Sequence, residues 1–367
     1  MAMTSYGPNS PEAVKLWSRS LWHESFSNMY FRRFLGSDKK SLVQYVPDPA
    51  KSAGDQVTCT LRKPLDGPGV LGDSTLEGNE EQLKTFTDEL RINQLRNAHR
   101  SKGKMSEQRV PWSVRKEGKD ALSDWFTERL EIAFFNQLCG FNAQNDLRLT
   151  GHNTPVAPDL RHYMWAGNDN PGVVDDAAIP AGQVLTLDTI DCLVTKAQTM
   201  RSNGSARIRP IRVGNTDHYV LFIHPENLKQ MRIGLGNTRW QELQLAAVSA
   251  RNQSSNPLYT GAAGIYNNTV IHTSEYVTYG VGANGVVTDA INPATAGNAV
   301  RRGVFAGAQS MAYAVGKGDT RLGMSNYEEL FDYGNQLGQS CGAIFGLKKV
   351  QYDNEDFGTI TVGIRDQ

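Results

Sequence analysis

The sequence has no excess of charge of either sign, since 38 lysines and arginines balance 38 aspartates and glutamates over 367 residues. A protein that coats nucleic acid through electrostatics normally carries a basic excess or a basic stripe. Neutrality suits a protein that lies beside many copies of itself, because a large net charge makes neighbouring copies repel each other. The overall charge therefore argues against a general nucleic-acid coat.

Long apolar runs and a cysteine framework are also lacking. No apolar run approaches the roughly 18 to 20 residues that span a bilayer, and the first residues lack the charged and then apolar pattern of a secretory signal. We expect a soluble protein that is made in the cytoplasm and contacts no membrane. The four cysteines form no CxxC pair, which predicts reduced and packed thiols: Cys59, Cys139, Cys192 and Cys341.

Catalytic and ligand-binding motifs are missing as well. Two GxGxxG matches, at residues 67–72 and 280–285, lack the following apolar helix that a dinucleotide site requires. The seven histidines are scattered and show no HExxH spacing. We predict no catalytic, cofactor-binding or metal site. A soluble enzyme remains an alternative, and it would require convergent titratable groups in a pocket.

Glycine is abundant, and one glycine-rich segment lies between two strand-like runs. Residues 56–65 and 83–93 alternate apolar and polar side chains, and they flank the acidic loop DGPGVLGDSTLEGNEEQ. This pattern predicts a long two-stranded arm with a polar tip. Because an isolated hairpin is marginal in water, we expect a partner chain to complete the arm. The tip residues expected to make that contact are Gly67, Gly69, Leu71, Leu76, Glu77, Glu80 and Glu81.

Residues 12–35 carry large apolar side chains at mostly helical spacing, which predicts an N-terminal helix that is either continuous or broken. Such a surface near a terminus must pack on something, and we expect Trp17, Trp22 and Phe26 to contact a neighbouring subunit.

A basic stretch follows the arm at residues 91–109 and includes Arg96 and Arg100. It has three interpretations: a solvated junction between a strand and a helix, a surface for DNA, or a partner for an acidic surface. We prefer pairing with the acidic arm tip of a neighbouring copy over contact with DNA, because those acids are available as partners.

The strongest helix pattern covers residues 111–139, between Pro111 and Gly140. At 1.5 Å per residue it is more than about 40 Å long, and we expect Trp125 and Ile132 to anchor it. The apolar strip along it consists of Val114, Ala121, Trp125, Ile132 and Cys139, and Leu122, Phe126, Leu130 and Ala133 widen it. Further on, the pattern predicts a helix at 186–201, two strands within 207–224, helices in HPENLKQMR and TRWQELQLAAVSA, and an extended C-terminal end. The fold class is therefore α+β.

Several long segments resemble the N4-like major capsid protein family of tailed bacteriophages. They include GDSTLEGNEE, the run SKGKMSEQRVPWSVRKEGKDALSDWFTERLEIAFFNQLCG, GIYNNTVIHTSEYV, RRGVFAGAQSMAYAVGK and GLKKVQYDNEDFGTITV. The similarity runs in order from about residue 12 to the C-terminus.

The resemblance implies the HK97-like major capsid fold and its division into four parts. These are an N-terminal arm (1–50), an extended loop (51–95), a peripheral domain (96–185 and 345–367) with the spine helix 111–139, and an axial domain (186–344). It also implies hexamers and pentamers of identical subunits that form an icosahedral virion head around double-stranded DNA, bound without sequence specificity. The implied partners are a separate scaffolding protein, a portal protein and a possible decoration or cement protein. An encapsulin-type nanocompartment shell is the alternative.

Overall fold

The computed structural model describes residues 29–38, 40–46, 55–62, 65, 67, 69–82, 85–142, 144–176, 178–180, 182–200, 207–213, 216–253, 257–277, 300–316 and 324–365. Four helices lie in these ranges: α1 (Lys104–Gln108), α2 (Val114–Leu138), α3 (Leu187–Thr199) and α4 (Pro225–Gln253). The first eight strands are β1 (Leu35–Gly36), β2 (Val43–Val46), β3 (Gln56–Arg62), β4 (Thr85–Arg91), β5 (Asn93–Arg100), β6 (Tyr163–Trp165), β7 (Ile211–Val213) and β8 (Thr216–Ile223). The others are β9 (Gly264–Tyr266), β10 (Thr269–Thr273), β11 (Val300–Ala306), β12 (Met311–Val315), β13 (Met324–Phe331), β14 (Gln336–Lys349), β15 (Gln351–Tyr352), β16 (Glu355–Asp356) and β17 (Thr359–Arg365).

Sheet I contains six strands in the order β1-β2-β12-β14-β13, and β5 pairs with β14. Helix α2 packs on this sheet through apolar side chains that are almost fully buried. Phe126 lies 6.2 Å from Phe345 of β14, and Phe134 stacks at 4.9 Å on Phe31, which precedes β1. Burying such large side chains contributes about 1.5–3 kcal/mol each, so the helix and the sheet form one core.

Sheet II contains seven strands in the order β6-β17-β11-β8-β10-β9, and β7 pairs with β8. A second core joins it to α3 and α4, with Ile190 and Leu193 of α3 completely buried against the sheet. Thr186 caps the start of α3 in a reciprocal capping box with Thr189. In α4 the backbone breaks at Gly236, whose φ of 73° is open to glycine at little cost.

Helix α2 is the predicted spine helix, and it begins three residues later than predicted. The side chain of Ser113 accepts a hydrogen bond from the amide of Lys116, which fixes the first turn. After the helix, Gly140 adopts a φ of 64°, the left-handed conformation that ends many helices. The observed length is 25 residues, or about 37 Å.

The apolar strip predicted for this helix is partly wrong. Ala121 is exposed and Trp125 is half-buried, whereas Phe126, one position further on, has no exposed surface. The buried face instead follows the residues that widen the predicted strip, together with two members of the strip itself: Leu122, Phe126, Leu130, Ala133, Ile132 and Cys139.

Other predictions have mixed outcomes. The hairpin is confirmed, because β3 and β4 pair antiparallel with Val57 opposite Leu90. The helices and strands predicted between 186 and 253 are confirmed, as is the extended C-terminal end. The N-terminal helix prediction fails at its last residues, where a 3-10 turn (Tyr30–Phe34) leads into β1; residues 12–28 lie outside the described residues. Strand β5 was not predicted.

The four-part division remains a prediction. The predicted boundary at 344/345 falls inside the continuous strand β14, whose residues 338–345 pair with β5. Within the described residues, no helix is long and apolar enough to cross a membrane.

Candidate assembly surfaces

The arm consists of β3, β4 and the segment between them, and its base is fixed to the rest of the molecule by apolar contacts. Leu90 and Ile92 are buried beside Val350 and Phe357, and Val57 of β3 packs against the same cluster. Cys59, also at the base, has its thiol pKa raised by burial and then by the nearby Asp88 carboxylate. A thiol in such surroundings is a packing group rather than a nucleophile.

The arm tip, residues 65–82, differs from its base in exposure. Its described residues are exposed, apart from the half-buried Val70. Leu71 has 88% of its surface exposed and Leu76 has 61%. A Cβ added at Gly69 or Gly72 would meet nothing within 4 Å. The tip therefore has little support from the described remainder of its own chain.

Local hydrogen bonds nevertheless give the tip a defined shape. The backbone amide of Gly67 donates to Glu81 Oε2 over 2.7 Å, which joins the two sides of the loop. The amide of Gly78 donates to Glu80 Oε2 over 2.8 Å. Positive φ angles at Gly69, Gly72 and Gly78 form turns that side chains with a Cβ would strain.

Strand β5 carries the predicted basic residues on one face. Arg96 and Arg100 are exposed, whereas Leu95 is buried in the core that contains the spine helix, and the ring of His99 lies beside Gly118 of that helix. The guanidinium carbon of Arg100 lies 4.2 Å from the ring centroid of Phe331, a cation–π contact that holds the charge at the surface.

The two predicted anchors of the spine helix are used differently. Ile132 is 2% exposed and packs with Leu149. Trp125 is half-buried, and the guanidinium carbon of Arg129 lies 5.7 Å from its ring centroid. The predicted arm residues Trp17, Trp22 and Phe26 lie outside the described residues.

Sequence reasoning missed an exposed apolar group near β5. The amide of Lys104 donates to Asn335 Oδ1 over 3.2 Å, which joins α1 to the turn between β13 and β14. Beside this contact Met105 is 67% exposed and Tyr333 is completely exposed. The signal was present in the turn sequence DYGN, where an aromatic residue stands at the tip of a hairpin.

Two observations concern possible metal ligands and a buried histidine in the described part of the chain. No cluster of three or more histidine, cysteine, aspartate or glutamate side chains there could hold a metal ion. The buried His272 has its pKa lowered to about 4 by desolvation, and its Nε2 lies 2.9 Å from the carbonyl of Leu258, which is a structural contact.

Comparison with solved structures identifies the class of protein. The capsid of Ralstonia phage GP4 superposes with a TM-score of 0.80 at 27% identity, covering 100% of this chain and 99% of that one. The capsid of cyanophage Pam1 gives 0.64 at 17% identity, with coverages of 99% and 94%. The head of Helicobacter pylori bacteriophage KHP40 gives 0.62 at 16% identity, with coverages of 91% and 90%. The fold is that of HK97-like capsid subunits.

The sequence matches the phage capsid protein family over residues 4–366, and the chain belongs to that family. It is also 26% identical over 387 residues to the major capsid protein of Pseudomonas phage KPP25, which covers 98% of this chain and 96% of that protein. These findings favour a phage capsid over the encapsulin-type alternative and over a soluble enzyme.

Proposed function

We propose that this chain is the major subunit of an icosahedral phage head, in which it forms hexamers and pentamers around double-stranded DNA. The near-complete coverage of another phage's major capsid protein supports this role. Assembly in the host cytoplasm with a separate scaffolding protein, a portal protein and a possible decoration protein belongs to the same proposal, as does membership of the N4-like subfamily. The division into N-terminal arm, extended loop, peripheral and axial domains is proposed with it; the pairing of β14 with β5 and β12 favours a peripheral domain that also includes residues 311–344.

The observation that carries the proposal is the arm, which is anchored at its base and exposed at its tip. Leu71 and Leu76 present large apolar side chains to water, and burying such a side chain contributes about 1.5–3 kcal/mol. In the proposed shell, a neighbouring copy of the chain buries these two side chains. Because every subunit donates one arm and accepts another, modest contacts add up around a closed shell.

Charge supports a particular acceptor for the tip. Residues 65–82 contain five acids and no lysine or arginine, whereas residues 91–104 contain five lysines and arginines and no acid. We infer that Glu77, Glu80 and Glu81 lie against Arg96 and Arg100 of a neighbouring subunit. Exposed ion pairs contribute about 0.2–1 kcal/mol each, so these charges select the register while the leucines supply most of the contact energy.

Deletion of residues 66–80 tests the role of the tip. The subunit is expected to stay folded, because the residues buried at the arm base are retained, and to form no shells in negative-stain electron microscopy. A double variant, Leu71→Ser with Leu76→Ser, tests the apolar contact without shortening the loop. Leu147→Ser, at a 45% exposed site on the body, is its control. Regular shells from the deletion variant would contradict the proposal.

Charge exchange tests the acceptor. Reversing Glu77, Glu80 and Glu81 to lysine is expected to lower the yield of shells, with a larger effect at low salt than at high salt. A second variant, Arg96→Glu with Arg100→Glu, should show the same defect. Combining both sets in one chain should restore assembly, because the pairing is inverted and retained. Unchanged yields for the glutamate variant at low salt would refute this acceptor.

A further inference from the structure

Asn153 holds the base of the arm by a pair of hydrogen bonds to a single residue. The amide of Arg91, the last residue of β4, donates to Asn153 Oδ1 over 2.9 Å, and Asn153 Nδ2 donates to the carbonyl of Arg91 over 3.0 Å. A side-chain amide therefore occupies both backbone groups of Arg91, as a neighbouring strand would. Asn153 is 7% exposed, so water competes little for these bonds.

The same side chain is fixed by the body of the molecule. Asn153 Nδ2 also lies 3.1 Å from the carbonyl of Gly151 and 3.2 Å from that of Leu347 in β14. The spine helix reaches this loop through Gln137, whose Nε2 donates to the carbonyls of Asn153 (2.6 Å) and Thr150 (2.7 Å). One chain of hydrogen bonds thus connects the end of the spine helix to the arm.

A second set of contacts to the arm lies beside that of Asn153. Lys348 Nζ donates to the carbonyl of Glu89 over 2.9 Å and pairs with the carboxylate of Asp88. The amide of Gln351 donates to Asp88 Oδ2 over 3.2 Å. Lys348 follows Leu347 directly, so the contacts of Asn153 and of Lys348 involve adjacent residues of β14. We call Asn153 and Lys348 together the arm clasp.

Because the clasp lies at the base of the arm, a small change of angle there displaces the far end of the arm. Only Ile92 separates β4 of the arm from β5 of sheet I, so the arm changes sheets within one residue. Strand β4 extends about 20 Å from Arg91 to Thr85, and a tilt of about 10° at the clasp would move its far end by about 3.5 Å. A displacement of that size is comparable to the separation of two contacting side chains.

We propose that Asn153 is a positioning residue for assembly: the clasp sets the angle at which the arm leaves the body, and that angle sets the curvature of the shell. The inference rests on the proposed function of the arm, because an arm that contacts no neighbour cannot affect curvature. It adds a residue, buried in the subunit and distant from the tip, that decides which shell is built.

The test uses the full chain with Asn153→Ala, and Asn142→Ala at an exposed site is the matched control. In unassembled subunits, amide exchange at residues 86–92 should become about tenfold faster or more, while exchange in the core of the spine helix stays unchanged. In assembled samples, electron microscopy should show a broader distribution of shell diameters. The control should match the unaltered protein in both measurements.

Two outcomes would overturn the inference: unchanged exchange at 86–92, or a released arm that still builds shells of the original diameter. If Asn153→Ala fails to fold, Lys348→Met replaces it, because that side chain is 20% exposed and keeps its aliphatic stem. The tip deletion separates the two proposals. Shells that form without a tip refute the function of the arm, whereas uniform shells from a clasp variant refute only the clasp.

Discussion

Replacing Arg302 with methionine should destabilise the subunit strongly, because this side chain neutralises a buried charge and ends the spine helix. Arg302 Nε donates to Asp176 Oδ2 over 2.5 Å, and the two side chains are 6% and 2% exposed. Its Nη1 donates to the carbonyls of Cys139 and Gly140, at 3.1 and 3.0 Å. These carbonyls belong to the helix end, which has no partners of its own within the helix.

The magnitude follows from what remains after the substitution. Among the described side chains, Asp176 would keep the hydroxyl of Tyr163 as a donor, at 2.5 Å from its Oδ1. The pKa of Tyr163 is raised by burial and by the Asp176 charge. Breaking a buried ion pair by removing one partner costs about 3–5 kcal/mol, a large share of the roughly 5–15 kcal/mol by which domains are stable. The double variant with Asp176→Asn removes the orphaned charge and retains an acceptor for Tyr163, so it should recover about 1–2 kcal/mol.

Urea unfolding of unassembled subunits measures these differences through a double-mutant cycle. Arg212→Met is the control, because its pair with Asp217 is 61% and 43% exposed and should be worth at most about 1 kcal/mol. This reasoning would be refuted if Arg302→Met lowered the free energy of unfolding by less than about 1 kcal/mol. It would also be refuted if the double variant were less stable than Arg302→Met alone.

Three further predictions concern single residues. His272 has a folded-state pKa of about 4, below its unfolded value, so the unfolded state binds more protons between pH 6.5 and 4. Stability should fall by about 3 kcal/mol as pH drops through that window, and His272→Gln should flatten this part of the curve of melting temperature against pH. Gly140→Ala should cost about 1–2 kcal/mol, because φ is positive and the new Cβ would lie 2.7 Å from the carbonyl of Val156; a melting temperature equal to that of the original protein would contradict this. Of the cysteines, Cys192 is exposed, whereas Cys139 and Cys341 are buried with pKa values raised to about 12. Alkylation of the native protein should therefore modify Cys192 before these two, and its rate should increase as the pH rises. Mass spectrometry would identify the modified residue.

The sequence predicted elements whose pattern is local. Alternation over 56–65 and 83–93 predicted the hairpin, and the spacing of apolar residues predicted the spine helix. Strand β5 was missed because NQLRNAHR has a single large apolar residue, Leu95. It is a strand because residues 93–100 pair with β14, and strand preference depends strongly on such context.

The exposed tip could be inferred from its glycine and acidic residues, whereas the clasp could not. Asn153 and Gln137 are polar residues far apart in sequence from Arg91 and Leu347, and their importance comes from being buried together. Trp125 was predicted as an anchor and Phe126 as part of the widened strip, but the packing of the helix on sheet I buries Phe126 completely and leaves Trp125 half-buried. Such contacts follow from tertiary packing rather than from local periodicity.

In the proposed assembly, the arm tip acquires its support from other copies of the chain. Amide hydrogen exchange of residues 69–82, measured in unassembled subunits and in purified shells, tests it most directly. We expect rapid exchange in the free subunit and slow exchange in the shell. Slow exchange of these amides already in the free subunit would contradict the claim, because the tip would then be supported by its own chain.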